Sequence, residues 1–162
     1  YLIDRGLAKE ITKVEALGVV RRSEESGLVH TTNNSQDRLN LICNCCPCCC
    51  TILRALTQLK NPNAFAVSRW HSQVDTDLCN GCGICEDERC PVSAIKVRES
   101  VAVVDPERCI GCGLCVTTCD VEAVHMVPRQ HAAEPPRTIT EMALKIATEK
   151  GNVEEFMKLM KR

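Results

Sequence analysis

The chain has 162 residues, room for one domain or two small ones, and its 20 basic and 21 acidic side chains leave a formal net charge of -1. That balance excludes a protein that holds nucleic acid or another polyanion through bulk charge. Only Tyr1, Phe65, Trp70 and Phe156 are aromatic, whereas 14 residues are cysteine, so the fold must be held by a disulfide scaffold or by bound metal rather than by a large greasy core.

The chain starts at Tyr1 rather than Met, and Tyr1 to Arg5 reads like the interior of a helix, so a piece of a longer protein is expected. Thr12 and Glu15 form a capping box, Val14, Leu17 and Val20 share one helical face, and Gly27 suits a C-terminal stop; together they predict a helix over about 13 to 26. Thr31 to Arg38 reads as a polar loop, and Leu39 to Ile42 leads into six cysteines between Cys43 and Cys50. A short helix is expected from about Cys49 to Leu59, ended by Asn61-Pro62.

Residues 74 to 127 hold an internal repeat: Cys79-Asn-Gly-Cys82-Gly-Ile-Cys85 overlays Cys109-Ile-Gly-Cys112-Gly-Leu-Cys115 at an offset of 30. Val92, Ala94 and Ile95 then match Val121, Ala123 and Val124 at an offset of 29, because the first loop has one additional residue before its fourth cysteine. Val101 to Val104 reads as a strand between the copies, with Pro106 at the turn into the second. Arg129 to Arg137, with Pro135-Pro136, reads as a linker. Two short helices follow, one over about 140 to 150 stopped by Gly151 and one after Asn152, with Met142, Ile146, Phe156 and Met160 as their apolar contacts.

The repeats read Cys-x2-Cys-x2-Cys-x4-Cys-Pro and Cys-x2-Cys-x2-Cys-x3-Cys. Such spacing wraps three thiolates around one corner of a cubane while the fourth cysteine, opening a helix, reaches away. On these motifs the chain resembles the bacterial two-cluster 4Fe-4S ferredoxins over residues 74 to 128. The resemblance implies two 4Fe-4S clusters, one bound by Cys79, Cys82, Cys85 and Cys119 and the other by Cys109, Cys112, Cys115 and Cys90. Gly81, Gly83, Gly111 and Gly113 lie inside the ligand loops, where positive φ and close approach of main-chain N–H groups to sulfur favour glycine. Ile84, Val92, Ile95, Ile110, Leu114, Val121 and Val124 supply an apolar shell. Two four-cysteine zinc sites are the alternative for the same eight thiols, although zinc ligands generally come in separated pairs.

Two features depart from the ferredoxin pattern. Four residues, Glu86-Asp87-Glu88-Arg89, separate Cys85 from Cys90 where three are usual, giving an acidic bulge. Asp120 follows Cys119 in place of proline; buried and ionised it would lower one cluster's potential, and at the surface it would cap a following helix.

In Cys43-Asn-Cys45-Cys46-Pro-Cys48-Cys49-Cys50, the residues Cys43, Cys46 and Cys49 repeat the spacing of the ferredoxin loops, and Cys45 and Cys48 form a second pair. Adjacent side chains diverge on a strand or helix, so neighbouring cysteines are not expected all to face one metal. A third iron-sulfur cluster on Cys43, Cys46 and Cys49 is one reading; another metal, such as zinc or a softer ion, a redox-active disulfide set and an incomplete ligand set are the others. The stretch from Gly27 to Cys50 also resembles a segment preceding the ferredoxin module in longer bacterial iron-sulfur proteins. His30 and His71 are available as further ligands or proton carriers, or as structural histidines, and Trp70 as packing or as an electron relay.

No nucleophile-base arrangement, phosphate-binding glycine loop or dinucleotide fingerprint occurs, and the helix over 13 to 26 lacks the basic face of a DNA reader. No apolar stretch approaches the roughly 20 residues of a membrane span, and no secretory signal is visible. These features lead us to expect an α+β chain in three parts: a helical, cysteine-rich segment over 1–73, a ferredoxin-like two-cluster 4Fe-4S module of short strands and helices over 74–128, and a linker with a helical hairpin over 129–162. The expected function is cytoplasmic electron transfer through a redox protein partner or a larger oxidoreductase complex, with no nucleic acid involved. The other classes are an oxidoreductase with a catalytic cluster at Cys43–Cys50 and a redox or metal sensor.

Overall fold

A computed structural model describes residues 1–160 of the chain. Helix α1 (Lys13–Glu25) begins where the capping box predicts: the Thr12 hydroxyl accepts the Glu15 amide at 3.2 Å, and the Glu15 carboxylate accepts the Thr12 amide at 2.8 Å. Donation from the Thr12 amide, and then from the Thr12 hydroxyl, holds the Glu15 carboxyl below its usual range. Gly27, at φ +73°, lies just past the helix end. The apolar face does not pack as expected, since Val14 and Leu17 are 79% and 57% exposed.

Strands β1 (Val29–Thr31) and β2 (Cys43–Cys45) pair antiparallel, with Val29 opposite Cys45 and Thr31 opposite Cys43. Three residues are too few for alternation to show in a sequence, which is why the loop reading of Thr31 onward misses this hairpin. Helix α2 (Thr51–Thr57) is shorter than expected, and Pro62–Ala64 adds one 3-10 turn.

The repeat builds two further antiparallel pairs. Strand β3 (Trp70–Val74) pairs with β6 (Val124–Pro128), and β4 (Ile95–Arg98) pairs with β5 (Val101–Val104). Strands β3 and β5 open the two copies and β4 and β6 close them, so each sheet ties the start of one copy to the end of the other. Matching bonds follow: the Asp75 amide donates to the Ala123 carbonyl and the Asp105 amide to the Ala94 carbonyl, both at 2.7 Å. No helix opens at the fourth cysteines; Cys90 and Cys119 each start a single turn, closed by the amides of Ser93 and Glu122 at 3.4 and 2.9 Å.

Helices α3 (Ile139–Glu149), capped by Thr138, and α4 (Val153–Met160) pack on each other around Gly151. Ala147 is the buried contact, whereas Ile146 and Met160, expected to pack, are 42% and 55% exposed. The architecture is thus an α+β mixture of helices and small antiparallel sheets. Among the described residues no helix is long and apolar enough to cross a membrane.

The core is a cluster of Val29, Cys45, Leu53, Val92, Ala94 and Leu114, with Cys50, Cys90, Cys109 and Cys112 against it. Of the expected apolar shell, Val92, Ile95, Leu114 and Val124 are buried, and Ile84 and Ile110 are half-buried. Val121 is 38% exposed, because it sits on the outside of the turn that follows Cys119.

The additional residue of the first loop has a structural use. Cys85–Arg89 forms one π-helical turn, a feature of single-residue insertions, and it carries Arg89 inward to 8% exposure. The Arg89 guanidinium donates to the Leu114 carbonyl at 3.2 Å and to the carbonyls of Glu24 and Glu25 at 3.1 Å each, and it pairs with the Glu24 carboxylate at 2.6 Å. Cation and carbonyls meet at the negative end of α1, where the helix dipole favours positive charge. Thr117 Oγ1 donates to the same carboxylate. Of the expected acidic bulge, Glu86 is paired: it binds Lys96 Nζ at 2.8 Å and the Val97 amide at 2.6 Å, and Lys96 above all holds its carboxyl below the usual range.

In Arg89→Gln, α1 should lose about 2 kcal/mol of protection against opening, from charged hydrogen bonds left unmade. Amide hydrogen exchange across Ser23 to Leu28 should then accelerate roughly thirtyfold, with the β3–β6 amides unchanged. Uniform acceleration across the molecule would show that Arg89 does not act locally.

Candidate metal centres

The two ligand loops are suspended identically. Asp75 and Asp105 accept the amides of Cys79 and Cys109 on their carbonyls at 3.1 and 3.0 Å, and their carboxylates accept the amides of Asp77 and Glu107 at 3.0 Å each. These Asx turns fix the entry of the chain into both ligand loops. Gly81, Gly83, Gly111 and Gly113 all have positive φ, from +69° to +84°. Two of them are also closed in: a Cβ on Gly81 would strike the Ser100 backbone, its carbonyl carbon at 2.7 Å, and one on Gly111 would strike the Trp70 carbonyl and the Ser68 Cβ, the latter at 2.8 Å. The close approach thus runs from the first loop to the β4–β5 turn and from the second loop to β3 and the residues just before it, where glycine had been expected to bring backbone N–H to sulfur. Gly113 has room, with Met126 Sδ at 4.0 Å, and a Cβ on Gly83 would press only on the end of a flexible side chain, Asp87 Oδ2 at 3.3 Å.

Backbone N–H groups reach sulfur from other residues. The Ala94 amide donates to Cys90 Sγ at 3.1 Å, the Ala123 amide to Cys119 Sγ at 3.3 Å and the Ala102 amide to Cys79 Sγ at 3.4 Å. The first two are equivalent positions of the repeat, so each fourth cysteine is held by the alanine four residues on.

Burial and mutual proximity govern the remaining thiols. Cys112 is pushed up to about 12, first by burial and then by the nearby thiols Cys115, Cys90 and Cys109. Cys85 is pushed up to about 11, again first by burial and then by Cys115, Cys82 and Cys79. Cys115 is raised by burial against an opposing hydrogen bond from Ser72. Cys90, from the first copy, therefore lies with the trio of the second. Buried thiols held this firmly in the protonated form suit a cationic centre, whose binding replaces the protons and removes the cost of burying charge. Cys90, Cys109, Cys112 and Cys115 around a shared space, with the Ala94 amide behind Cys90, fit one iron-sulfur cubane.

Ser72 was not visible as a site residue. It is 3% exposed, its Oγ stands 3.1 Å from Cys115 Sγ and 3.9 Å from Cys109 Sγ, and the equivalent position in the other copy is Ala102. The offset of the repeat would have exposed that Ser/Ala difference. Asp120 is exposed, and only a turn follows it, so it neither buries a charge beside the thiols nor caps a helix. His30 Nδ1 meets Asn44 Oδ1 at 2.8 Å, while His30 Nε2 and His71 Nδ1 are buried without a hydrogen-bond partner. Trp70 is 49% exposed at the strand end, and its contribution to the site is the carbonyl over Gly111.

A family model described as a 4Fe-4S dicluster domain matches residues 78–123, well under half of the chain. This segment is a ferredoxin-type module with the capacity for iron-sulfur electron transfer. No curated protein matches the chain.

In the cysteine-rich segment, Cys46, Cys48 and Cys49 bring their sulfurs within 4.8 Å of one another. Cys43 Sγ lies 3.1 Å from Cys45 Sγ instead. Of the expected trio, Cys46 and Cys49 are thus brought together, with Cys48 rather than Cys43 as the third. Hydrogen bonds from Cys48, Cys49 and the Cys49 amide draw the Cys46 thiol down to about 7, and donation to its neighbours pushes Cys49 up to about 11.

Gly111→Ala should abolish iron incorporation, because the Trp70 carbonyl cannot move without opening β3–β6. Gly113→Ala meets only left-handed strain of about 1–2 kcal/mol and should retain it. Iron and acid-labile sulfide analysis of both variants checks the distinction.

Proposed function

We propose that the chain relays single electrons through two 4Fe-4S clusters, one held by Cys79, Cys82, Cys85 and Cys119 and the other by Cys109, Cys112, Cys115 and Cys90. The observation that carries this reading is the closeness of Cys90, from the first copy, to Cys112 and Cys115 of the second. When bound, the clusters supply one-electron redox states over a range of roughly -700 to +450 mV.

The chain's own part is to hold, shield and tune. Leu114, Ile95, Val92 and Val124 exclude water, and the amides of Ala94, Ala102 and Ala123 offset negative charge on sulfur. Cys115 and Cys85, the inner members of the two trios, are near enough to influence each other, which supports close approach of the two centres. No bond of a substrate need be made here; electrons pass to or from a redox protein or another subunit of an oxidoreductase complex, in a reducing compartment such as the cytoplasm.

Anaerobically purified protein should contain about eight irons per chain in these centres. Cys90→Ser should perturb the spectroscopic signals of the cluster bound by Cys109, Cys112 and Cys115, and Cys119→Ser those of the other. Perturbation of the cluster in the same copy as each substituted cysteine would reverse the assignment.

Ser72 makes the centres unequal. A hydroxyl donating to a bound thiolate favours the reduced, more negative state, and a difference of about 1 kcal/mol corresponds to roughly 40 mV for one electron. Ser72→Ala should lower one potential by that order and leave the other in place, read by redox titration.

A further inference from the structure

We propose that Cys46, Cys48 and Cys49 form a three-thiolate site for a single thiophilic ion of the cuprous class, separate from the dicluster module. The local chain makes it. Between β2 and α2 the backbone is neither strand nor helix but a turn over Pro47, Cys48 and Cys49, closed by the Cys50 amide on the Cys46 carbonyl at 3.0 Å. Side chains that would diverge on regular structure converge around this turn. The Cys49 amide donates to Cys46 Sγ at 3.3 Å, and Cys48 Sγ stands 3.1 Å from Cys46 Sγ and 3.5 Å from Cys49 Sγ.

Size distinguishes the occupant. Metal–sulfur bonds of about 2.3 Å around one ion set thiolates roughly 4 Å apart, which three sulfurs lying 3.1 to 4.8 Å from one another reach by small side-chain rotations. A cubane interposes its own irons and sulfides, and its ligands must stand much farther from one another. Cys43, which would complete the ferredoxin-like spacing, is outside the group and beside Cys45. Cys45 is buried in the core that also receives Cys50, Cys90, Cys109 and Cys112.

Donor chemistry distinguishes the ion. The group contains sulfur only, with no imidazole or carboxylate among the three, a set that selects soft cations. Zinc in protein sites is almost always four-coordinate, whereas three thiolates satisfy a cuprous ion. Cys48 and Cys49 are exposed and Cys46 is half-buried, so an ion has an open path and each thiol that binds releases its proton to solvent.

The test uses the full chain, purified without air and carrying its iron, titrated with Cu(I) against a competing cuprous chelator. The expected result is one copper per chain with three sulfur neighbours by X-ray absorption, at unchanged iron and sulfide content. Cys46→Ser combined with Cys49→Ser should lose that copper and keep the iron, while Cys43→Ser should keep both. The proposal is overturned if the double variant retains copper, if copper enters only by displacing iron, or if the segment carries additional iron and sulfide that the double variant loses. A Cys46–Cys48 disulfide in the anaerobic protein, or zinc in a four-sulfur site, overturns it equally. Iron retained by the double variant shows an intact dicluster module, so failure here is separable from failure of the electron-relay reading.

Discussion

The pairing of each copy's opening strand with the other copy's closing strand is the constraint on which the rest of this molecule depends. Because β3 runs against β6 and β5 against β4, neither copy can complete its fold alone. The crossing carries Cys90 to the neighbourhood of Cys112 and Cys115 of the second copy. The hydrogen bonds of Asp75 to Ala123 and Asp105 to Ala94 repeat the same exchange at the mouths of the ligand loops. A site assembled from both halves is rigid because opening it means breaking a sheet.

Around that frame the interior is made of small aliphatic residues and sulfur. Among the described residues Leu53, Ile95 and Leu114 are the largest fully buried side chains, and Ala94, Ala102 and Ala123 are each nearly inaccessible. Alanines at these places let the backbone come within hydrogen-bonding reach of Cys90, Cys79 and Cys119, which a larger side chain would prevent. The burial that raises Cys85 and Cys112 is unfavourable for thiolates in isolation; it becomes an advantage where a metal centre supplies the compensating charge.

The segment before the module joins the same interior. Val29, Cys45 and Leu53 pack with Val92, Ala94 and Leu114, and Arg89 fastens the end of α1 to the π-helical turn. An inserted residue beside a ligand loop adds slack unless its side chain is anchored. Here the insertion turns an arginine inward, where carbonyls and the Glu24 carboxylate receive it.

Much of this was legible in the residues. The capping box and Gly27 fix α1, the offset of 30 announces the duplication, and the cysteine spacing identifies the ferredoxin-type segment, since each depends on neighbours within one turn or loop. The strands β1, β2, β3, β4 and β6 escaped, because short strands carry little period-two signal and gain their stability from the strands they pair with. Ser72 and Arg89 gave no local sign of burial, as a hydroxyl or guanidinium goes inside only where tertiary neighbours satisfy it. The grouping of Cys46 with Cys48 and Cys49 likewise depends on a turn that spacing rules for strands and helices do not describe. Local hydrogen bonding and ligand spacing were thus written in the sequence; which thiols share a space, and which polar groups stand behind them, was decided by the way distant strands pair.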